Sequence, residues 1–168
     1  VINFIFYIST NLRGNCMSDK YELKKITKEQ IKEAWDILWP GRDHYYISDM
    51  TYPEKGFDPD IFKKYKATYW GLYDDGLLIA SNSGHKTSEK YYRGRGVWVH
   101  ENYRREKLSQ IMWKAVADQG RCEGCEWLWC LPRQPTFNHV IEFGFKRVSD
   151  WMPFHFGINA YALYDLKV

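Results

Sequence analysis

A strand, a polar loop, a helix and a second strand follow one another in the middle of the chain, and this succession limits the possible folds. Val97-Trp98-Val99 is the core of a β-prone segment that ends at His100. Residues 103–120 place apolar side chains at helical spacing, and residues 126–131 form a short apolar run of strand length. A helix between two strands predicts that those strands lie parallel.

The segments on either side of this crossover predict antiparallel strands. Asp74-Asp75-Gly76 is a strong turn signal between the β-prone residues 67–73 and 77–83, so the three segments predict a hairpin. Further strands are predicted at residues 21–26, 94–100, 145–148 and 160–166. The sheet is therefore expected to be mostly antiparallel, with one parallel pair.

Helices are predicted to flank this sheet. Thr27 and Gln30 form a capping-box pattern at the start of a helix that Pro40-Gly41 ends. Two shorter helices are predicted at residues 61–66 and 135–143. The order of elements predicts an α/β fold with a mixed sheet and flanking helices.

Length, charge and cysteine usage exclude several classes of protein. The 168 residues suit one domain, and the net charge of +3 lacks the basic stripe of a nucleic-acid-binding domain. No segment is long and apolar enough to cross a membrane, and no disulfide framework is visible, so a cytoplasmic location is expected. Residues 1–16 precede Met17 and are expected to be non-native or an upstream leader, and residues 17–168 are expected to form the domain.

The start of the central helix has the properties of an anion-binding site. The first amide groups of a helix have no internal acceptor, and the helix dipole adds positive potential there. Arg104, Arg105 and Lys107 add cationic donors at this point. The pattern is compatible with a bound pyrophosphate and equally with an ordinary solvated helix start.

This segment resembles the acetyl-CoA-binding motif of the GNAT superfamily of N-acetyltransferases. The resemblance runs from Val97-Trp98-Val99 through Asn102-Tyr103-Arg104 to the central helix, and Phe143-Gly144-Phe145 resembles the close of the family's next helix. The two glycines of the family motif fall on Lys107 and Ser109 in this chain. Glu101 replaces the usual proline of the turn. At the level of element order, the resemblance covers residues 20–168.

The resemblance implies acetyl-CoA as co-substrate, an amine as acceptor, and a possible homodimer. The implied pantetheine contacts are Val97, Trp98 and Val99. The implied pyrophosphate contacts are Arg104, Arg105, Glu106, Lys107, Leu108 and Ser109. The thioester is expected where the strand at residues 94–100 separates from the strand at 126–131.

The catalytic residues typical of the family do not transfer to this chain. Val140 occupies the place of the usual acidic Tyr, and Arg93 lies near the place of the usual basic Glu. Histidine and tyrosine side chains close to the predicted cofactor strand are the remaining candidates for proton transfer. The candidates are His100, His85 and Tyr92, each of which also has an ordinary structural interpretation.

Three cysteines and one histidine near the end of the central helix include part of a zinc-site pattern. Cys122 and Cys125 have the C-x-x-C spacing, and Cys130 and His139 follow. The second closely spaced pair of ligands is missing, so no metal is expected.

Three functions remain open from the sequence. The first is an N-acetyltransferase whose acceptor site includes the loop at residues 42–60, where acidic and aromatic side chains would suit a cationic amine. These side chains are Asp43, Tyr45, Tyr46, Asp49 and Tyr52. The second is a GNAT-like module that binds acyl-CoA without catalysis, and the third is a domain that stacks single-stranded nucleic acid on its aromatic side chains.

Overall fold

The computed structural model describes residues 20–41, 51–54, 56–154 and 156–168. The predicted leader at residues 1–16 lies outside these ranges, so its status stays a prediction, as does the 17–168 boundary of the domain. Four side chains of the predicted acceptor loop also lie outside them, and Tyr52 is described. These four are Asp43, Tyr45, Tyr46 and Asp49.

Nine strands and four helices are formed within the described residues. The strands are β1 (Glu22–Ile26), β2 (Thr68–Asp74), β3 (Leu77–Lys86), β4 (Tyr91–Val99), β5 (Trp127–Cys130), β6 (Lys146–Arg147), β7 (Met152–Phe154), β8 (Gly157–Asn159) and β9 (Ala162–Asp165). The helices are α1 (Lys28–Leu38), α2 (Ile61–Lys64), α3 (Leu108–Cys122) and α4 (Phe137–Phe143). None of these helices is both long enough and apolar enough to cross a membrane, as far as the described residues go.

Seven of the strands form one mixed sheet in the order β1-β2-β3-β4-β5-β9-β6. All neighbouring pairs are antiparallel except β4 and β5, which are parallel and are joined through α3. The predicted α/β class, the mostly antiparallel sheet and the single parallel crossover are confirmed. The predicted hairpin is also formed, because Asp75 and Gly76 both have the positive φ that its tight turn requires.

The first helix begins and ends where its capping signals predict. The Thr27 hydroxyl accepts from the Gln30 amide at 3.3 Å, and the Gln30 side chain accepts from the Thr27 amide at 2.8 Å. This capping box satisfies two amide groups that would otherwise lack an acceptor. α1 then buries Ile31 and Trp35 against the sheet.

The central helix begins later than the sequence predicts. Residues 101–103 form a short 3-10 turn, and α3 begins only at Leu108 rather than at residue 103. The predicted end at Gly120 is also wrong, because this residue lies inside α3. A Cβ atom at Gly120 would approach the Tyr92 side chain to about 3.1 Å, so glycine there permits close packing.

The helices cover opposite faces of the sheet. Successive residues of a strand point to opposite faces. Gly94 packs against Trp113 of α3, and its neighbour Arg95 contacts Trp35 of α1. The sheet therefore has an α3 face and an α1–α2 face.

A short C-terminal hairpin, β7–β8, was not expected from the sequence. The hairpin packs into an aromatic cluster around Trp129 and Tyr161, which also includes Tyr52 and Phe154. The ring of Tyr52 lies 5.8 Å from that of Trp129 and 5.2 Å from that of Tyr161. This cluster packs the half-buried Tyr52 against the sheet.

Candidate functional site

The parallel strands β4 and β5 separate in the middle of the sheet. Their pairing covers only Tyr91–Arg93 and Trp127–Trp129. Beyond this point β5 stays paired with β9, and β4 stays paired with β3 up to Val99. The edge of β4 that faces β5 is therefore open from residue 94 onward, which leaves a slot for an extended ligand that pairs with backbone groups.

A bulge in β4 lies at the opening of this slot. The register of β3 and β4 shifts between Ser81 and Ser83, and Gly96 has a φ of +76°. The Trp35 indole N–H donates to the Gly96 carbonyl at 3.1 Å. A Cβ atom on residue 96 would lie 2.3 Å from the indole nitrogen, so both backbone conformation and packing require glycine here.

The loop between β4 and α3 contains two left-handed residues. Arg105 has a φ of +74° and Lys107, the N-cap of α3, has a φ of +57°. Non-glycine residues rarely adopt this conformation, and it is concentrated at functional sites. Left-handed residues at a helix start also turn successive amide groups toward a common point that suits an anion.

The left-handed conformation of Lys107 gives a reason for the glycine that the GNAT motif has at this position. A glycine at this position would adopt a left-handed φ without a steric penalty, and the lysine adopts it at a cost. The departure from the motif therefore keeps the backbone geometry and adds a cation. Ser109, at the second glycine position, is half-buried in the first turn of α3.

Two tyrosine hydroxyl groups form hydrogen bonds that connect the loop to the rest of the domain. The Tyr21 hydroxyl donates to Glu106 Oε2 at 2.6 Å, and the Tyr103 hydroxyl donates to Asp74 Oδ2 at 2.9 Å. Hydrogen bonding to Glu106 raises the pKa of Tyr21, and hydrogen bonding to Asp74 raises the pKa of Tyr103. The carboxylate of Glu106 is thus engaged with Tyr21, whereas Arg104, Arg105 and Lys107 are exposed.

The other predicted cofactor contacts lie around the slot. Val97 and Val99 are half-buried and pack toward the α3 core, and Trp98 is buried opposite Ser81 of β3. Leu108 is buried and fixes the start of α3. Their side chains are structural, so a ligand in the slot would meet the backbone of residues 97–99.

The predicted catalytic residues are not brought together. His100 caps the 3-10 turn, since its Nδ1 accepts from the Asn102 amide at 3.3 Å, and its ring contacts Trp98 and Tyr103 edge to face. Its place beside the loop is as expected, and its visible role is to shape the turn.

Tyr92 lies in the core on the α3 face. Its side chain is fully buried, and its hydroxyl donates to Glu123 Oε1 at 3.3 Å, at the far end of α3. Burial raises the pKa of Tyr92 strongly. Val140, at the family's tyrosine position, is also buried in the core, so neither residue reaches the slot.

His85 lies on the α1–α2 face, in a groove beside the β4 bulge. Its side chain is only 2% exposed, and its ring is 4.9 Å from that of Phe62 in α2. Ser83 and Arg95 line the same groove. Of the three predicted catalytic side chains, His85 alone lines an opening next to the slot.

Two buried arginines of β4 were missed as site residues. The Arg93 guanidinium lies 4.9 Å from the Trp129 ring centroid, and Arg95 lies 4.6 Å from the ring centroids of Trp35 and Trp39. Both side chains are less than a tenth exposed. The sequence signal available for them was the alternation R-G-R in a buried strand, which puts two cations on one face.

The cysteine-histidine set is not assembled into a metal site. Cys122 is exposed, whereas Cys125 and Cys130 are buried in the α3 core. In the described ranges no three His, Cys, Asp or Glu side chains lie close enough to hold a metal ion. His139 instead lies in α4, where its carbonyl accepts from Gln110 of α3.

Comparisons with solved structures find the same fold. An IAA acetyltransferase from Bacillus cereus has a TM-score of 0.64 at 11% identity, and the match covers 86% of this chain and 99% of that chain. Ard1 from Thermoplasma volcanium gives 0.63 at 12% identity, with 87% and 97% covered. An aminoglycoside 6'-N-acetyltransferase complexed with coenzyme A gives 0.64 at 8% identity, with 86% and 97% covered.

A comparison with curated proteins gives no significant match. The profile described as the acetyltransferase (GNAT) family matches residues 29–145, which is more than half of the chain. The matched range includes all of α1 except its first residue, the bulge in β4, the left-handed loop and the whole of α3. The chain therefore belongs to the GNAT family of acetyltransferases.

Proposed function

We propose that the chain is an acetyl-CoA-dependent N-acetyltransferase that transfers the acetyl group directly to an amine. The observation that supports this most is the open edge of β4 beside a left-handed loop at the start of α3. An extended pantetheine arm would pair with the backbone of residues 97–99. The pyrophosphate would lie at the amide groups of residues 104–109, next to Arg104 and Lys107.

The chemistry requires three events at the thioester. The amine nitrogen attacks the carbonyl carbon and forms the C–N bond, the tetrahedral oxyanion collapses, and the C–S bond breaks to give the thiolate of coenzyme A. One proton leaves the amine nitrogen, and one reaches the thiolate. A backbone amide at the β4 bulge would donate to the oxyanion, and the shift in register between β3 and β4 there supports this assignment.

His85 is the proposed base for the acceptor amine. It lines the groove next to the bulge, whereas the buried hydroxyl of Tyr92 points away from it. His100 remains a candidate at the loop, with its Nδ1 already used by the Asn102 amide. A cytoplasmic location and a homodimer stay predictions.

Calorimetry with acetyl-CoA tests the binding half of the proposal. Arg104→Glu should weaken binding about tenfold, because a hydrogen bond to a charged group contributes on the order of one to two powers of ten. Lys146→Glu in β6, at the far edge of the sheet, is the matched charge-reversal control and should bind as the parent does. Equal loss in both variants, or no binding by the parent protein, contradicts the proposed site.

Turnover separates the enzyme from an inactive module. Release of the coenzyme A thiol is followed with a panel of primary amines, in the parent and in His85→Gln. Turnover that falls at least tenfold in His85→Gln, with acetyl-CoA binding unchanged, supports the proposed base. Tight binding without turnover on any amine would identify a GNAT-fold module that has lost catalysis.

A further inference from the structure

The groove on the α1–α2 face carries cationic side chains at its floor and its rim. It has a volume of about 480 Å³ and includes Arg95 at the floor, with Lys28 and Lys66 at the rim. The Arg95 side chain is 7% exposed, whereas both lysines are exposed. Among the lining residues that the structure describes, none is an aspartate or a glutamate.

This groove adjoins the slot proposed for the cofactor. Arg95 pairs with Ser83 across β3 and β4, directly before the bulge at Gly96. The slot and the groove thus meet at the same stretch of β4. The slot runs along the edge of this strand, and the groove lies on its face. A molecule in the groove could present a nitrogen atom to a thioester at the bulge.

The walls of the groove are aromatic. Trp35 and Tyr69 lie on one side, and Phe62 and Tyr65 come from α2 and the residues after it. Such walls suit the apolar body of a small molecule, whereas the cations repel a second positive charge and attract a negative one. The nucleophile in acyl transfer is the neutral amine, and nearby cations disfavour its protonated form.

We infer that the acceptor is a primary amine that also carries an anionic group, a carboxylate or a phosphate, held by Arg95, Lys28 and Lys66. This inference rests on the proposed transferase function and names its substrate class. It differs from the cationic amine that the acidic residues of the 42–60 loop predict from sequence. The anion binds among these three cations, and the amine faces the bulge that follows Arg95.

Matched acceptors test the inference with the full chain and saturating acetyl-CoA. Phenylalanine carries the carboxylate, phenylalaninamide lacks it, and phenethylamine has neither carboxylate nor amide. O-Phosphoethanolamine and ethanolamine form the corresponding phosphate pair. We expect kcat/KM to be at least about tenfold higher for one anionic member than for its counterpart without the anionic group, since one good charge-assisted hydrogen bond is worth about that factor. The pair that shows the preference identifies the anion.

Substitutions at the rim of the groove test whether the groove recognises the anionic group of the acceptor. Lys66→Glu should lower kcat/KM for the preferred anionic acceptor about fivefold, a modest factor because a rim charge is screened by solvent. Lys66→Arg should retain kcat/KM for that acceptor, and neither change should affect the counterpart without the anionic group. Lys63→Glu, three residues away in α2 and outside the groove, is the matched control and should leave the preference intact.

The outcomes separate this inference from the proposed function. Turnover that favours phenethylamine or ethanolamine over the anionic acceptors overturns the inference and leaves the transferase in place. A preference for the anion that Lys63→Glu changes as much as Lys66→Glu also overturns it, because the groove would then not be the site. No acetyl-CoA binding removes the proposed function, and the inference with it.

Discussion

At the scale of single residues, two positions in the loop before α3 carry a backbone conformation that their side chains do not favour. Arg105 and Lys107 are left-handed, and each is an L-residue with a Cβ atom. The steric cost of this conformation is on the order of 1 kcal/mol per residue. The loop keeps it because Tyr21 and Tyr103 fix both ends through Glu106 and Asp74.

Lys107→Gly should therefore stabilise the fold, whereas Lys107→Ala should not. Both variants remove the ammonium group, but only glycine relieves the left-handed strain at the N-cap of α3. We expect the free energy of unfolding of the glycine variant to exceed that of the alanine variant by about 1 kcal/mol. Urea unfolding followed by tryptophan fluorescence measures the difference. An alanine variant as stable as the glycine variant would show that residue 107 is not left-handed in solution.

At the scale of elements, the contact of α1 with the bulge of β4 connects the α1–α2 face of the sheet to the slot. Trp35 is 4% exposed, and its indole both donates to the Gly96 carbonyl and packs against Arg95. The packing of α1 therefore fixes the position of the bulge near which β4 diverges from β5. A single helix docking contact thus positions a backbone feature at the candidate site.

Trp35→Phe should damage the site more than the fold alone explains. The phenyl ring fills much of the indole space but cannot donate to Gly96, which leaves a partly buried carbonyl without that donor. We expect a loss of about 1–3 kcal/mol in the free energy of unfolding. We also expect kcat with any accepted amine to fall more than KM for acetyl-CoA rises. Ile37→Ala, at a 65% exposed position of the same helix, should change stability by less than about 0.5 kcal/mol.

Elements with strong local signals could be predicted from the sequence. Thr27 and Gln30 fixed the start of α1, and Asp75-Gly76 fixed the hairpin, because each signal acts within four residues. The start of α3 was misplaced because the residues that interrupt the helix are Arg105 and Lys107, which carry no glycine or proline signal. The β7–β8 hairpin was missed because its strands are three residues long and one contains Pro153.

The candidate site could be predicted only where it is local. The loop at residues 104–109 is one segment, so a motif resemblance could place it. The groove is assembled from α1, the residues around α2, β3 and β4, and no pattern within one segment reports that assembly. Arg95 and His85 meet in it only because β3 and β4 are paired.

At the scale of the whole molecule, the core is divided by the sheet into an α3 side and an aromatic α1–α2 side. Tyr92, Trp113 and Leu128 pack on the α3 side, and Trp129 and Tyr161 pack on the other. Among the described residues, several of the largest aromatic side chains thus lie in the interior on both sides of the sheet. Burial of this kind also controls which thiols can react.

Thiol labelling of the native protein should follow this burial. Cys122 is exposed at the end of α3, and Cys125 and Cys130 lie in the α3-side core. Burial raises the pKa of Cys125 to about 11 and raises that of Cys130 further, so at pH 8 both thiols carry little of the reactive thiolate. We expect iodoacetamide to modify Cys122 in minutes, and Cys125 and Cys130 only after addition of denaturant. Peptide mass spectrometry of timed samples measures each site separately, and Cys122→Ser shows whether labelling at that site alters the others. Rapid labelling of Cys130 in the native state would mean that the core on the α3 side of β5 opens in solution.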